Sequence, residues 1–61
     1  MKYFVQIGNA IFDFNTINRV EPDQNGEKCI VIQDDGTALK VDASVDQAMK
    51  VIKDAMYMNR I

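Results

Sequence analysis

The chain has 61 residues, of which 48% are hydrophobic, and seven basic and nine acidic side chains give it a net charge of −2 at pH 7. This weak negative charge provides no electrostatic footprint for nucleic acid and is too small for a DNA mimic. Histidine is absent and Cys29 is the only cysteine, which excludes an intramolecular disulfide and the usual ligands of structural zinc.

The composition lacks low-complexity segments and charge blocks, so it predicts a single globular domain over residues 1–61. No segment approaches the roughly 20 apolar residues needed to span a bilayer. The sequence also does not begin with the basic region and following apolar stretch that are typical of a secretory signal peptide. We therefore expect a cytoplasmic protein.

A first hairpin is predicted between Lys2 and Phe14, where apolar residues alternate around a two-residue turn at Gly8-Asn9. Pairing Ile7 with Ala10 gathers one apolar face for the core. That face consists of Tyr3, Val5, Ile7, Ala10, Phe12 and Phe14. The opposite face carries Phe4, Gln6, Ile11 and Asp13.

A second hairpin is predicted over residues 27–42 with a two-residue turn at Asp35-Gly36, because both residues tolerate positive φ. Asp34 then lies opposite Thr37. The core face in this register contains Ile30, Ile32, Leu39 and Val41. The reverse face contains Cys29, Val31, Gln33, Ala38, Lys40 and Asp42.

The link between the hairpins predicts a turn or single helical twist at residues 15–18 and a short strand around residues 19–21. A loop is expected over residues 22–26, because Pro22 ends the strand and Asn25-Gly26 favours a turn.

A helix is predicted over residues 44–59, with Ser44 and Gln47 forming a capping box and Asp46 in the positive first turn. Its apolar arc is wider than so short a chain can easily bury alone, which predicts a self-association or partner surface. The arc contains Val45, Ala48, Met49, Val51, Ile52, Ala55, Met56 and Met58.

Within this arc, we expect Met49 and Met56 in the core, and Val51 and Met58 at the edge, where a meander sheet does not reach. The reverse face of the sheet adds further apolar side chains to this predicted surface. The predicted interface residues are Val51, Met58, Phe4, Ile11 and Val31.

We predict no catalytic residue and expect that the protein is not an enzyme, because the commonest proton-transfer group is missing. Cys29 lies in mid-strand without a histidine base, which favours a packing role over a nucleophile.

No metal site and no cofactor are predicted. Four carboxylates gather near the second turn and the helix start, but turn and helix-dipole chemistry explains them. They are Asp34, Asp35, Asp42 and Asp46. The run from Glu21 to Gly26 mimics part of a calcium loop, but Ile32 occupies the position of the bidentate glutamate.

The segment from Phe12 to Glu21, followed by a short strand, Asp35-Gly36 and another strand, resembles the opening of LytTR-type DNA-binding domains. It is also similar to many short bacterial and phage proteins. The likeness covers residues 10–52, and the later strands and basic loops with which that family contacts DNA have no counterpart here. It therefore implies no function and no site residues for this chain.

The predicted fold is α+β, an antiparallel meander sheet of four to five strands packed on one face by a single C-terminal amphipathic helix, in two layers. We expect a small non-catalytic protein-binding module, an accessory subunit or inhibitor of a larger protein, that acts as a homodimer.

Two alternatives remain open. The first is a nucleic-acid-binding regulator, which requires the basic residues to form one stripe. These residues are Arg19, Lys28, Lys40, Lys50, Lys53 and Arg60. The second is a binder of small molecules or nucleotides with its site between two protomers.

Overall fold

Two antiparallel sheets and a C-terminal helix make up the part of the chain that the computed structural model describes, residues 3–58. The elements are β1 (Phe4–Ile7), β2 (Ala10–Asp13), a 3₁₀ helix (Phe14–Thr16), β3 (Ile17–Pro22), β4 (Cys29–Gln33), β5 (Ala38–Val41) and α1 (Val45–Met58). The α+β class is confirmed. The single meander sheet is wrong, because β1 pairs only with β2, and β3, β4 and β5 form a separate sheet.

The first hairpin has the predicted register. Val5 pairs with Phe12 and Ile7 with Ala10, and these alternating positions place Val5, Ile7 and Phe12 in the core. The Phe14 amide donates to the Tyr3 carbonyl at 2.7 Å, and the two rings meet edge to face at 6.2 Å.

The 3₁₀ helix separates the two sheets and corresponds to the predicted helical twist. The Asp13 carboxylate caps it by accepting from the Asn15 amide at 3.0 Å, and the Thr16 hydroxyl donates to the Asp13 carbonyl at 2.8 Å. This turn redirects the chain after β2, so that β3 pairs with β4 instead of continuing the first sheet. The strand predicted around residues 19–21 is therefore present and longer than expected.

The register of the second hairpin differs from the prediction by one residue. Val31 pairs with Leu39 and Ile32 with Ala38, and the turn is a three-residue loop in which Gly36 has φ +90°. No non-glycine residue among the described ones has positive φ, so Asp35 does not form the two-residue turn that we expected.

This shift exchanges the faces of β4 relative to the prediction. Cys29 and Val31 are fully buried, whereas Ile30 and Ile32 are half-buried and Leu39 is 46% exposed.

The turn of the first hairpin lies against the end of β5. Gly8 has φ +61°, and a Cβ atom there would lie 2.7 Å from the backbone carbonyl carbon of Asp42. The neighbouring Asn9 side chain accepts a hydrogen bond from the Asp42 amide at 3.2 Å. Only a glycine allows the backbone to approach so closely at this φ, and the contact joins the two sheets.

Helix α1 packs against β1 and β3 and so covers one strand of each sheet. Its start is the predicted capping box, because the Gln47 amide donates to Ser44 Oγ at 3.2 Å and the Ser44 amide to Gln47 Oε1 at 3.0 Å. The predicted end at residue 59 lies outside the described residues. The buried side chains between helix and sheets are Val5, Ile7, Phe12, Cys29, Val31, Val41, Ala43, Ala48 and Ala55.

Candidate functional site

A largely apolar groove of about 660 Å³ lies between β3 and α1. Its apolar lining consists of Phe14, Ile17, Val20, Met49, Ile52 and Met56. Polar side chains at its border are Asn15, Asn18 and Arg19.

The rotation of α1 about its axis opens the groove. The helix turns its two alanines, Ala48 and Ala55, directly onto the sheets, where both are fully buried. At about 100° per residue, Met49 and Met56 lie roughly 80–100° round from Ala48. They are 41% and 55% exposed, so the prediction that both lie in the core is wrong.

A β-bulge shapes the opposite wall. The pairing of β3 with β4 shifts between Ile17 and Arg19. In a regular strand, residues three apart point to opposite faces, but the extra residue of a bulge restores them to the same side. Ile17 and Val20 accordingly both line the groove and pack against the core. Alternation alone could not reveal this pair, because a bulge leaves no distinct mark in the pattern.

Those predicted interface residues whose side chains the structure describes do not form one common surface. Phe4 and Ile11 are 59% and 71% exposed on the outer face of the first hairpin, as expected. Val31 is a correction, because the shifted register buries it completely. Val51 is half-buried against the core, and the side chain of Met58 lies outside the described residues.

The basic residues do not form a stripe free of acidic partners. Lys28 Nζ lies 2.8 Å from Asp42 Oδ1, Lys40 Nζ lies 3.4 Å from Asp23 Oδ2, and Arg19 pairs with Glu21. The hydrogen bond and charge of Asp42 raise the pKa of Lys28. Three of the six basic residues that would have to form the stripe thus have acidic neighbours. Arg60 lies outside the described residues.

The Asp23 carboxylate organises the β3–β4 loop. Its side chain is only 5% exposed and accepts from the amides of Glu27 at 3.1 Å and Lys28 at 3.3 Å. Burial acts to raise the pKa of Asp23, but hydrogen bonds from the Lys28 amide, the Lys40 side chain and the Gly26 amide, with the charge of Lys40, outweigh it and lower the pKa. The run that resembles part of a calcium loop is therefore a hydrogen-bonded turn around this carboxylate.

Cys29 lies in the core, and burial raises the pKa of its thiol, with the charge of Asp23 adding to the effect. Of the four carboxylates considered above, Asp35 accepts from the Thr37 amide at 3.0 Å and Asp42 pairs with Lys28. Across residues 3–58, no three acidic, cysteine or histidine side chains are close enough together to hold a metal ion.

Comparisons with known protein families, with curated proteins and with solved structures give no match to this chain. In the described part of the chain, α1 lacks the length and apolar content required to cross a bilayer.

Proposed function

We propose that this chain is a small non-catalytic protein-binding module that acts as a homodimer and occupies a surface of a larger protein, as an accessory subunit or inhibitor. The observation that carries the proposal is the groove between β3 and α1, with Met49 and Met56 exposed along it. An adaptable thioether suits a surface that adjusts to a partner, because methionine has three rotatable bonds and a polarizable sulfur.

The distribution of large apolar side chains supports the same proposal. In the part of the chain that the structure describes, those with more than about two fifths of their surface exposed are Phe4, Ile11, Leu39, Met49, Met56 and Tyr57. The buried core, by contrast, is completed by small alanines and Cys29. At about 25 cal/mol for each Å² of apolar surface, covering these side chains would contribute favourably to the free energy of forming a complex.

Light scattering over a range of concentrations tests the homodimer. We expect the wild-type mass to rise from one towards two chains, and a Met49→Lys/Met56→Lys variant to stay at one. A Phe4→Lys/Ile11→Lys variant provides the control, since it adds the same charge to the other exposed apolar surface. A wild type with the mass of one chain at every concentration contradicts the homodimer.

A second function is supported by the groove's size. Its volume of about 660 Å³ falls within the range of about 300–1,000 Å³ that is typical of small-molecule sites, and its lining is mainly apolar. A ligand that binds only the folded state raises the melting temperature. A metabolite screen in which such a rise disappears in Met49→Lys/Met56→Lys would favour this function, and an unchanged melting temperature throughout would count against it.

A further inference from the structure

We propose that Asn25 is a modification site, which deamidates through the backbone nitrogen of Gly26 and which the loop of residues 23–28 protects from reaction while that loop is closed. Asparagine is chemically least stable before glycine, because a following residue without a Cβ leaves its backbone nitrogen unhindered. Of the five asparagines in the chain, Asn25 alone precedes a glycine. Neither residue lines the groove between β3 and α1, so this chemistry is independent of the proposed binding function.

The reaction requires water and no other partner. The Gly26 nitrogen attacks the side-chain carbonyl carbon of Asn25 and forms a C–N bond. The bond from that carbon to the side-chain nitrogen breaks, and ammonia leaves with the proton of the Gly26 amide. The product is a succinimide ring, which water opens at either of its two carbonyl carbons. Residue 25 then becomes aspartate or isoaspartate, and the chain gains one negative charge.

The loop leaves the reacting groups accessible. Asn25 and Gly26 are both exposed. Gly26 has φ +75°, and outside its chain neighbours no atom of residues 3–58 lies within 4 Å of the position that a Cβ would occupy there. Asn9 differs in both respects, because its side chain accepts from the Asp42 amide at 3.2 Å and Ala10 follows it.

Hydrogen bonds to Asp23 restrain the attacking nitrogen. The Gly26 amide donates to the Asp23 carbonyl at 3.1 Å. The nitrogen must lose this proton to react, so the hydrogen bond has to break first. The Asp23 carboxylate holds the next two amides, those of Glu27 at 3.1 Å and Lys28 at 3.3 Å, and so keeps the loop closed around Gly26. Deamidation therefore requires a local opening of the loop.

The modification breaks the loop that restrains it. In isoaspartate the chain runs through the side chain, which inserts one extra backbone atom before Gly26. The amides of Gly26, Glu27 and Lys28 all follow this point, and all three donate to Asp23. Their positions relative to Asp23 are consequently lost, and the reaction converts a closed loop into an open one.

Peptide mapping of the full-length chain at neutral pH, folded and in guanidinium chloride, tests the protection. Trypsin releases residues 20–28 as one peptide in which Asn25 is the only asparagine, so its mass gain and its isoaspartate content give the rate. We expect the folded wild type to react at least about tenfold more slowly than the denatured chain, since opening must break the hydrogen bonds to Asp23. Asp23→Ala, with folding checked by circular dichroism, should react several-fold faster than the folded wild type.

The matched control is Asp35→Ala. Asp35 organises the β4–β5 loop in a similar way, because it accepts from the Thr37 amide at 3.0 Å, but it has no hydrogen bond to the β3–β4 loop among residues 3–58. Its loss should leave the rate at Asn25 unchanged. Asp23→Ser retains a weaker acceptor and should give an intermediate rate, which keeps the test decisive if Asp23→Ala does not fold.

Three outcomes would overturn the proposal. No mass gain in the denatured chain would exclude the site, and equal rates in the folded and denatured wild type would exclude the protection. A rate increase in Asp35→Ala as large as that in the Asp23 variants would show that general destabilisation, and not Asp23, controls the reaction. The urea midpoint provides a second readout, since the purified isoaspartyl form should unfold at a lower concentration than Asn25→Asp, which has the same charge and a normal backbone. Equal midpoints would contradict the opening of the loop.

Discussion

Comparing Val31→Ala with Leu39→Ala tests the register of the second hairpin. The two residues pair with each other across β4 and β5, but Val31 is fully buried and Leu39 is 46% exposed. Counting carbon atoms alone, the leucine substitution removes more apolar material and should cost more stability. The structure predicts the opposite order, because only the valine leaves a cavity.

The magnitudes follow from burial. Removing two fully buried methyl groups from Val31 costs about 1.6 kcal/mol in transfer free energy, and the cavity raises this to about 2–3 kcal/mol. Removing three half-exposed carbons from Leu39 costs about 1 kcal/mol. A domain of this length has a total stability of roughly 3–9 kcal/mol, so the valine variant loses a large part of it.

Urea denaturation followed by circular dichroism measures the difference. With a slope of about 1 kcal/mol/M for so small a domain, the midpoint should fall by about 2–3 M in Val31→Ala and about 1 M in Leu39→Ala. Both must be measured at one protein concentration, since the proposed dimerisation would make stability concentration-dependent. A larger loss for Leu39→Ala than for Val31→Ala would refute the register.

Three further predictions follow from hydrogen bonds and backbone geometry. Gly8→Ala should cost more stability than Gly26→Ala, because both require positive φ but only the former places a Cβ 2.7 Å from the Asp42 backbone; equal losses in urea denaturation would contradict the contact. Ser44→Ala should lower the free energy of unfolding by about 1 kcal/mol and reduce the helical ellipticity, because the capping hydrogen bond is lost. An unchanged midpoint of urea denaturation would show that Ser44 does not stabilise the helix as its cap. The folded state lowers the pKa of Asp23 below its ordinary 3.8. The stability that the ionised Asp23 carboxylate contributes is therefore fully present above pH 3.8 and is lost as the pH falls through the pKa of the folded state. The stability gap between wild type and Asp23→Asn should therefore narrow in acid, and a gap independent of pH would disprove the effect.

Local signals predicted the parts of the fold in which neighbouring residues decide the geometry. The Gly8-Asn9 turn and the alternation around it specify the register of β1 and β2, and Ser44 with Gln47 specifies the start of α1. In each case the decisive partners are a few residues apart, and the alternative arrangements would expose apolar side chains.

The second hairpin could not be resolved in this way, because β4 is apolar on both faces. Cys29 and Val31 alternate with Ile30 and Ile32, so a shift by one residue exchanges two faces of nearly equal hydrophobicity. The turn decides between them, and Asp35-Gly36 is compatible with both a two-residue and a three-residue loop.

The groove could not be predicted from hydrophobicity either. Hydrophobicity ranks methionine above alanine for burial, whereas the close approach of α1 to the sheets favours the smaller side chain.

The contact between the first hairpin and Asp42 bears on how the chain folds. Asn9 and Asp42 are 33 residues apart in the sequence. In the three-stranded sheet, by contrast, each strand pairs with the strand that follows it directly in the chain. Because short-range pairing closes smaller loops, we expect the three-stranded sheet to form first and the long-range docking to follow after the rate-limiting barrier. Weakening that docking should accordingly speed unfolding and leave the refolding rate nearly constant. Amide hydrogens of β1 and β2 should then exchange with deuterium through a partial opening that keeps the three-stranded sheet intact.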